Sequence, residues 1–379
     1  MPPLPPNSID HDQQAVVWLE DVLTHACAEA ASDIHLEPFE AVLRVRLRID
    51  GQLRERPPPR ADLKDRIVSR IKVLSRMDIS EKRLPQDGRL RITVNSTPID
   101  LRVSCLPTLH GEKLVLRVQY APAQQLSLGD LGYETSQLKL LQSALEQPNG
   151  LILITGPTGS GKTMTLYSCL NHLNSSLINI STVEDPCEIV LPGINQINVN
   201  DKSGLGFAPS LRALLRQDPD VLMVGEIRDS ETADVAVKAA QTGHLVLSTL
   251  HTNDAPSALI RLQHLGLANF NIASSVVLVC AQRLVRKLCP HCKIQPTHEQ
   301  RFKAVGCPRC NNGYKGRTGI HQVLPFTPTL QTMLMDGVDV LRIADYALQT
   351  GVLTLRQAGL CKAQAGITSH EEVWAATTT

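Results

Sequence analysis

The first 120 residues combine helical and strand-like hydrophobic patterns. Apolar side chains recur at helical spacing over residues 15–31 and again over residues 63–77. Between these stretches, residues 43–49 alternate between apolar side chains and arginines, the pattern of a strand with one buried face and one basic, solvated face. Three further strand-like pieces follow, at residues 89–94, 99–104 and 114–118. The mixture predicts a separate α+β sheet domain over residues 1–120.

From about residue 133 the pattern changes to short, continuous apolar runs separated by helical segments. Such runs indicate strands buried on both faces, and they lie at residues 151–154, 178–183, 221–224 and 245–250. Their alternation with helices predicts an α/β core at residues 133–285, with a mostly parallel sheet between helices. Residues 121–132, which contain a proline and two glycines, are the predicted linker. After the core we expect a cysteine-rich insertion at residues 286–312 and a helical subdomain at residues 313–379.

Residues 156–163 read Gly-Pro-Thr-Gly-Ser-Gly-Lys-Thr, a complete phosphate-binding loop between a predicted strand and a predicted helix. Glycines let backbone N–H groups turn inward around an anion, and the helix N-terminus adds partial positive charge. Lys162 is expected to neutralise the β- and γ-phosphates of a nucleotide, and the Thr163 hydroxyl to bind Mg²⁺. The alternative is an ordinary glycine-rich turn before a helix. The candidate binding residues are Gly156, Pro157, Thr158, Gly159, Ser160, Gly161, Lys162, Thr163 and Met164.

Two glutamates and a histidine are candidates for hydrolysis, since each follows or ends a buried strand, where α/β sheets place their ligands. We expect Glu184 to polarise the attacking water and Glu226 to hold Mg²⁺ through its water shell, with the opposite assignment left open. His251 is expected to sense or orient the γ-phosphate. The alternatives are surface-turn or helix-capping acids and a hydrogen-bonded core histidine.

Four of the ten cysteines form two C-x-x-C pairs, Cys289 with Cys292 and Cys307 with Cys310. Four thiolates at this spacing suit a closed, tetrahedral, structural zinc site. The alternative is a set of reduced thiols without metal. The tandem arrangement of the two pairs disfavours a redox dithiol. His291 is a weak competing ligand.

Composition narrows the class of protein further. The chain has 38 basic and 37 acidic side chains and only 3% aromatic residues, which argues against a dedicated nucleic-acid-binding protein. No stretch approaches the roughly 20 apolar residues of a membrane span. The N-terminus has neither the basic nor the apolar segment of a secretory signal. Because the chain is large and carries a nucleotide-binding loop, we expect its ten cysteines to lie in a reducing cytoplasm, some on metal and the rest as buried thiols.

Four segments in order resemble the secretion ATPases of the type II secretion and type IV pilus systems. They correspond to that family's Walker A motif, aspartate box, atypical Walker B motif and histidine box, at residues 156–163, 183–186, 224–229 and 242–253. Further similar segments lie in the predicted first domain and near the C-terminus, at residues 32–38, 48–51, 85–89, 102–104 and 316–321. The resemblance extends from about residue 12 to the end.

The resemblance implies a RecA-like P-loop NTPase core, a smaller PAS-like N-terminal α+β domain, the tetracysteine zinc insertion and the helical C-terminal subdomain. It also implies Mg²⁺-dependent ATP hydrolysis in a hexameric ring that works on inner-membrane platform proteins from the cytoplasmic side. Nucleotides between subunits or domains then need cationic partners. By motif position these are Arg89, Arg102, Arg212, Arg216, Arg228 and Arg317.

The resemblance also bears on the type of family member, its domains and the alternative functions. The tetracysteine insertion favours assembly over retraction, and a further N-terminal docking domain of larger family members is expected to be absent. The alternative functions are a DNA-translocating ATPase of the same superfamily and a nucleotide-binding scaffold without turnover. Near-zero net charge counts against the first, and the presence of Lys162, Glu184 and Glu226 against the second.

Overall fold

The computed structural model describes residues 11–94, 97–119, 127–295 and 301–377. They form two compact units, Met1–Ala123 and Gln124–Thr379, each built on its own β-sheet. The predicted mixed α/β fold with a mostly parallel sheet is confirmed.

In the described part of the first unit, a six-stranded antiparallel sheet packs with two helices. The strands pair in the order β3-β2-β1-β6-β5-β4. Their bounds are β1 Asp33–Pro38, β2 Leu43–Ile49, β3 Gln52–Arg56, β4 Gln86–Val94, β5 Thr97–Thr108 and β6 Gly111–Gln119. The helices are α1 His11–Ala28 and α2 Lys64–Leu74, the second preceded by a short 3-10 turn at Ala61–Leu63.

The alternation predicted for residues 43–49 is confirmed in β2. Its leucines, valine and isoleucine are buried, and the intervening arginines are half-buried. The β2–β3 hairpin turns at Asp50 and Gly51, both with positive φ, the backbone that a tight two-residue hairpin requires. Helix α1 starts four residues before the predicted range and ends three residues before its end, so the helical stretch is confirmed with shifted bounds.

The second unit is a seven-stranded sheet in the order β13-β12-β7-β11-β10-β8-β9. Neighbouring strands are parallel except for β12 and β13, which form an antiparallel pair. The bounds are β7 Gly150–Thr155, β8 Ile180–Glu184, β9 Asn195–Asn198, β10 Val221–Val224, β11 Leu245–Leu250, β12 Val276–Leu288 and β13 Tyr314–Pro325.

Ten helices among the described residues belong to this unit. They are α3 Thr135–Leu145, α4 Lys162–Leu173, α5 Phe207–Leu214, α6 Ser230–Gln241, α7 Ala255–His264, α8 Asn269–Ser275, α9 Pro328–Met335, α10 Val340–Gln349, α11 Leu355–Gln364 and α12 His370–Thr377. Asp229 and Asp254 begin α6 and α7 because their carboxylates accept hydrogen bonds from backbone N–H groups of the first turn.

Both faces of the second sheet are covered. Along β7, Leu151 and Leu153 belong to one buried cluster, whereas Ile152 and Ile154 belong to the other. Successive strand residues point to opposite faces, so two separate cores lie on the two sides of one sheet. This is why β7, β8, β10 and β11 are buried along their whole length rather than at alternate residues.

Two predicted regions differ in detail from the structure. Part of the predicted linker, residues 120–126, lies outside the described residues, and the remainder contains a 3-10 turn at Leu128–Leu131. The C-terminal region predicted as helical begins with the strand β13, and its helices start at Pro328. The sequence pattern did not predict β13 as a strand because it contains many polar residues. A strand at the edge of a sheet does not need a continuous apolar run. Within the described parts of the chain, none of the helices has the length and hydrophobicity to cross a membrane.

Candidate functional site

The phosphate-binding loop connects the central strand β7 to helix α4. Gly156, Gly159 and Gly161 all have positive φ, the backbone region that favours glycine. A side chain at Gly156 would come within 2.5 Å of the Gln282 carbonyl oxygen, and one at Gly161 within 2.8 Å of the Gln282 side-chain nitrogen. Glycine is therefore required at these two positions both by conformation and by the closeness of β12.

Residues of the loop differ in exposure. Pro157, Thr158, Gly159 and Thr163 face solvent, and Met164 is half-buried. Exposed residues at the N-terminus of a helix of 12 residues leave backbone N–H groups accessible to an anion. These residues lie together as one strand–loop–helix segment.

Two polar groups in the loop fit a phosphate ligand. Ser160 is 3% exposed, and its hydroxyl has no hydrogen-bond partner among the described residues. The Lys162 Nζ donates to the backbone oxygens of Gly156 at 2.8 Å and Pro157 at 3.0 Å. Burial lowers the pKa of Lys162, and the nearby Glu226 carboxylate counteracts this in part. A half-buried ammonium that bonds to carbonyl groups of its own loop can exchange them for a bound anion.

Glu226 lies beside this lysine, just after β10. Its carboxylate pairs with Arg228 at 2.5 Å and with the His251 ring at 3.4 Å, and its side chain is 17% exposed. The backbone here is fixed to β11, since Thr249 donates through its hydroxyl to the Gly225 carbonyl at 2.7 Å. The structure therefore brings together four of the predicted residues, Lys162, Glu226, Arg228 and His251.

Glu184 occupies the end of the neighbouring strand β8. Val183 pairs with Val224 in the parallel β8–β10 ladder, so the two glutamates leave the sheet from adjacent strand ends. Glu184 is 3% exposed, and its carboxylate accepts hydrogen bonds from the side chains of Tyr167, Thr182 and Gln196. The two acids thus differ: Glu226 is partly open and contacts Arg228 and His251, whereas Glu184 is enclosed by neutral donors.

The remaining predicted arginines lie elsewhere. Arg212 pairs with Glu231 at 2.7 Å, Arg216 donates to the Arg212 carbonyl, and Arg317 is an exposed residue of β13. Within the described ranges of this unit, no hydrogen bond or ion pair joins these three to the loop or to the two glutamates. Arg89 and Arg102 belong to the first unit, where they are cross-strand partners on β4 and β5.

Sequence reasoning missed two residues of β12 that support the loop. The Gln282 amide donates to the Ser160 carbonyl at 2.8 Å and accepts from the Thr165 hydroxyl at 2.7 Å, which joins the loop to the first turn of α4. Arg283, only 7% exposed, donates to the Asn253 carbonyl at 3.1 Å, and burial lowers its pKa. The available signal was a pair of polar residues closing the apolar run at 276–281.

A short hydroxyl network connects the loop to the histidine segment. The Thr155 hydroxyl contacts the Thr252 hydroxyl at 2.8 Å and donates to the Leu250 carbonyl at 3.1 Å. Together with the Arg283 contact to Asn253, this holds the chain after β11 against the loop. His251 faces Glu226 because both of its flanks are held in this way.

The four cysteines of the two C-x-x-C pairs converge on one point. Their sulfur atoms all lie within 4.8 Å of one another, with Cys289 and Cys307 at 3.9 Å and Cys292 and Cys310 at 3.7 Å. Disulfide sulfurs lie at about 2.05 Å, whereas the sulfurs of a tetrahedral zinc site with bonds of about 2.3 Å lie about 3.8 Å apart. The four thiols therefore fit a divalent metal of zinc's preferences. His291 is exposed and outside this group.

Comparison with known proteins places this geometry in a family. Residues 9–375 match the family described as Type II/IV secretion system protein. The chain is 51% identical to the type IV pilus assembly ATPase PilB of Pseudomonas aeruginosa over 380 residues, which cover 96% of this chain and 67% of that protein. It is 46% identical to the type II secretion system ATPase E of Vibrio cholerae, covering 96% of this chain and 75% of that protein. The chain thus spans about two thirds to three quarters of the length of these relatives.

A solved structure shares the fold. The ATPase DotB of Legionella pneumophila superimposes with a TM-score of 0.75 at 21% sequence identity, covering 99% of this chain and 97% of that one. At this identity the likeness concerns the fold alone. The family match and the sequence relatives carry the assignment: the chain belongs to the type II/IV secretion system protein family, among whose members are type II secretion and type IV pilus assembly ATPases.

Proposed function

We propose that this chain hydrolyses ATP with Mg²⁺ and uses the energy to drive type II protein secretion or type IV pilus assembly. The observation that carries the proposal is the glycine loop with a half-buried lysine amine that bonds to carbonyl groups of its own loop and lies beside the Glu226–Arg228–His251 group. The proposed process follows from the relatives, which are named as ATPases of type IV pilus assembly and type II secretion.

In this proposal the loop residues 156–164 bind the phosphates, and Lys162 moves from its own carbonyls to the β- and γ-phosphates. Thr163 and Glu226 hold Mg²⁺, which when bound neutralises charge on the phosphate oxygens. Glu184 orients the attacking water, and His251 reports the γ-phosphate through its contact with Glu226. Cationic partners complete the site, some of them from a neighbouring domain or subunit: Arg89, Arg102, Arg212, Arg216, Arg228 and Arg317.

The finer architecture follows the same proposal. Residues 133–285 form a RecA-like core and residues 1–120 a PAS-like domain, joined by a linker at 121–132. Residues 286–312 form a zinc insertion in which Cys289, Cys292, Cys307 and Cys310 hold a structural Zn²⁺, and residues 313–379 form the C-terminal subdomain. Support for the metal comes from the sulfur spacing.

At the level of the machine, we propose a homo-oligomeric ring, in the first place a hexamer. It acts on the cytoplasmic side of the inner membrane by contact with platform proteins and without direct contact to nucleic acid. The supports are the pilus and secretion names of the relatives and the near balance of 38 basic and 37 acidic residues.

The direct test is phosphate release by the purified chain with ATP and Mg²⁺. Lys162→Ala removes the cation of the loop, and we expect turnover to fall at least about a hundredfold. Lys139→Ala, at an exposed position of α3, is the matched control and should keep the wild-type rate. Equal turnover in wild type and Lys162→Ala would contradict the proposal, and turnover that requires added DNA would favour the DNA-translocating alternative.

A further inference from the structure

The carboxylate of Glu184 has an unequal set of hydrogen bonds on its two oxygens. Oε1 accepts from the Thr182 hydroxyl at 2.6 Å and from the Gln196 amide at 3.1 Å. Oε2 accepts from the Tyr167 hydroxyl. A carboxylate offers about four acceptor sites, two on each oxygen. Oε1 is therefore saturated, and Oε2 has one acceptor site left.

Tyr167 is fixed in the one orientation that serves this carboxylate. It is 2% exposed, on the helix that begins with the phosphate-loop lysine. Its hydroxyl oxygen accepts the Glu188 backbone N–H at 3.0 Å, so the hydroxyl proton is directed to Glu184. Burial and the Glu184 contact raise the pKa of Tyr167, so the proton stays on the phenol at working pH.

We propose that Tyr167 is a positioning residue that holds the Glu184 carboxylate with a single Oε2 acceptor site directed to the attacking water. This inference rests on the role of Glu184 in the proposed function. Because Tyr167 lies on α4, the same helix whose N-terminus receives the phosphates, the carboxylate and the phosphates are set relative to one another by one rigid element.

The hydrogen bonds of the Glu184 carboxylate determine its role in hydrolysis. Three side chains already donate to its two oxygens, so the carboxylate acts by accepting one further hydrogen bond, which orients the water. The water oxygen forms the new bond to the γ-phosphorus, and the bond from that phosphorus to the bridging oxygen of ADP breaks. Both protons of the water end on the inorganic phosphate, which forms as H2PO4−, and ADP leaves with the electron pair of the broken bond on its terminal oxygen. Tyr167 takes no part in proton transfer and changes only the orientation of Glu184.

The test is steady-state ATP hydrolysis by the full chain carrying Tyr167→Phe, which deletes one oxygen and keeps the ring. We expect kcat to fall about tenfold, with KM and the affinity for a fluorescent ATP analogue unchanged within about twofold. Tyr314→Phe is the matched control, since this buried tyrosine hydroxyl contacts Ser369 at 2.8 Å, and it should keep both parameters. If Tyr167→Phe fails to bind the analogue, Thr182→Val removes a donor from the same carboxylate, and the same split is expected.

A double variant separates this inference from the proposed function. In a Glu184→Gln background, adding Tyr167→Phe should cause no further loss, since Tyr167 acts through the carboxylate. A further tenfold loss there, or a Tyr167→Phe effect on KM instead of kcat, overturns the positioning role. An unchanged Tyr167→Phe beside an impaired Glu184→Gln overturns the inference alone. Wild-type turnover in Glu184→Gln removes Glu184 from the proposed function and this inference with it.

Discussion

Three side chains of the proposed site have hydrogen-bonding capacity that a bound anion or a water molecule could use. Lys162 donates to two carbonyls of its own loop, the Ser160 hydroxyl is buried without a partner among the described residues, and Glu184 keeps one acceptor site. Buried polar groups normally have their hydrogen bonds satisfied. The Ser160 hydroxyl is an exception to this rule, and its place in the phosphate loop fits a site for a polar ligand.

His321 on β13 is a buried titratable residue away from this site, and it predicts a pH dependence of stability. It stacks on Tyr133 with ring centroids 3.7 Å apart. Burial, with a smaller effect of Lys362, lowers the pKa of His321 from 6.5 to about 3. Below its ordinary value the unfolded chain therefore takes up a proton that the folded chain refuses, so stability falls as the pH drops from about 6.5 towards 3.

His321→Phe should remove this dependence and keep the ring stack. Between pH 7.5 and 5.5, wild type should lose about 1.4 kcal/mol more of its unfolding free energy than the variant. Urea unfolding at the two pH values measures the difference, and the other histidines cancel because both proteins carry them. Parallel pH dependence in the two proteins would show that His321 is not the group responsible.

At the scale of elements, β12 and its hairpin partner β13 do more than complete the sheet. Gln282 of β12 joins the phosphate loop to α4, and the end of β12 leads directly into the first cysteine pair. The cysteine region is also fixed to the C-terminal helices, since the Lys293 amine donates to the Gly366 carbonyl at 2.7 Å. Disorder at the cysteines would therefore reach the connection between α11 and α12.

Removal of zinc should therefore destabilise the cysteine region after β12 and the connection between α11 and α12. We expect the reduced wild-type chain to contain about one zinc ion, and Cys292→Ser to lose it and to melt at least about 5 °C lower. Cys361→Ser, at an exposed cysteine on α11, is the control and should retain the metal. Elemental analysis and thermal unfolding measure the two effects. Substoichiometric zinc in fully reduced wild type would speak against a metal site.

Local signals were sufficient for many of the elements. The arginine alternation of β2 and the apolar runs of β10 and β11 identify strands without further information, because their burial follows from each strand alone. The phosphate loop was predictable for the same reason, since its glycines and its two flanks are contiguous in the chain.

Other parts depend on contacts that no local pattern contains. Gln282 supports the loop only because β12 pairs with β7 in the sheet, and Tyr167 meets Glu184 only because α4 crosses over to the end of β8. The polar strand β13 was missed since its position at the sheet edge relaxes the demand for apolar residues. Long-range pairing thus decides which polar residues serve the site.

At the scale of the whole molecule, two units with separate sheets and separate cores make up the described chain. The second unit carries the phosphate loop, both glutamates, His251 and the cysteine cluster. The first contributes Arg89 and Arg102 to the proposal. The phosphate loop and the side chains around it therefore lie within a single unit of the described chain.

The most direct measurement is an experimental structure of the full chain with Mg²⁺ and adenylyl-imidodiphosphate. We predict that the β- and γ-phosphates bind within the loop at residues 156–163. The Lys162 Nζ should leave the Gly156 and Pro157 carbonyls and contact the phosphate oxygens. Glu226 should face the metal. An analogue bound elsewhere, with the loop vacant and the lysine still on its own carbonyls, would contradict the account.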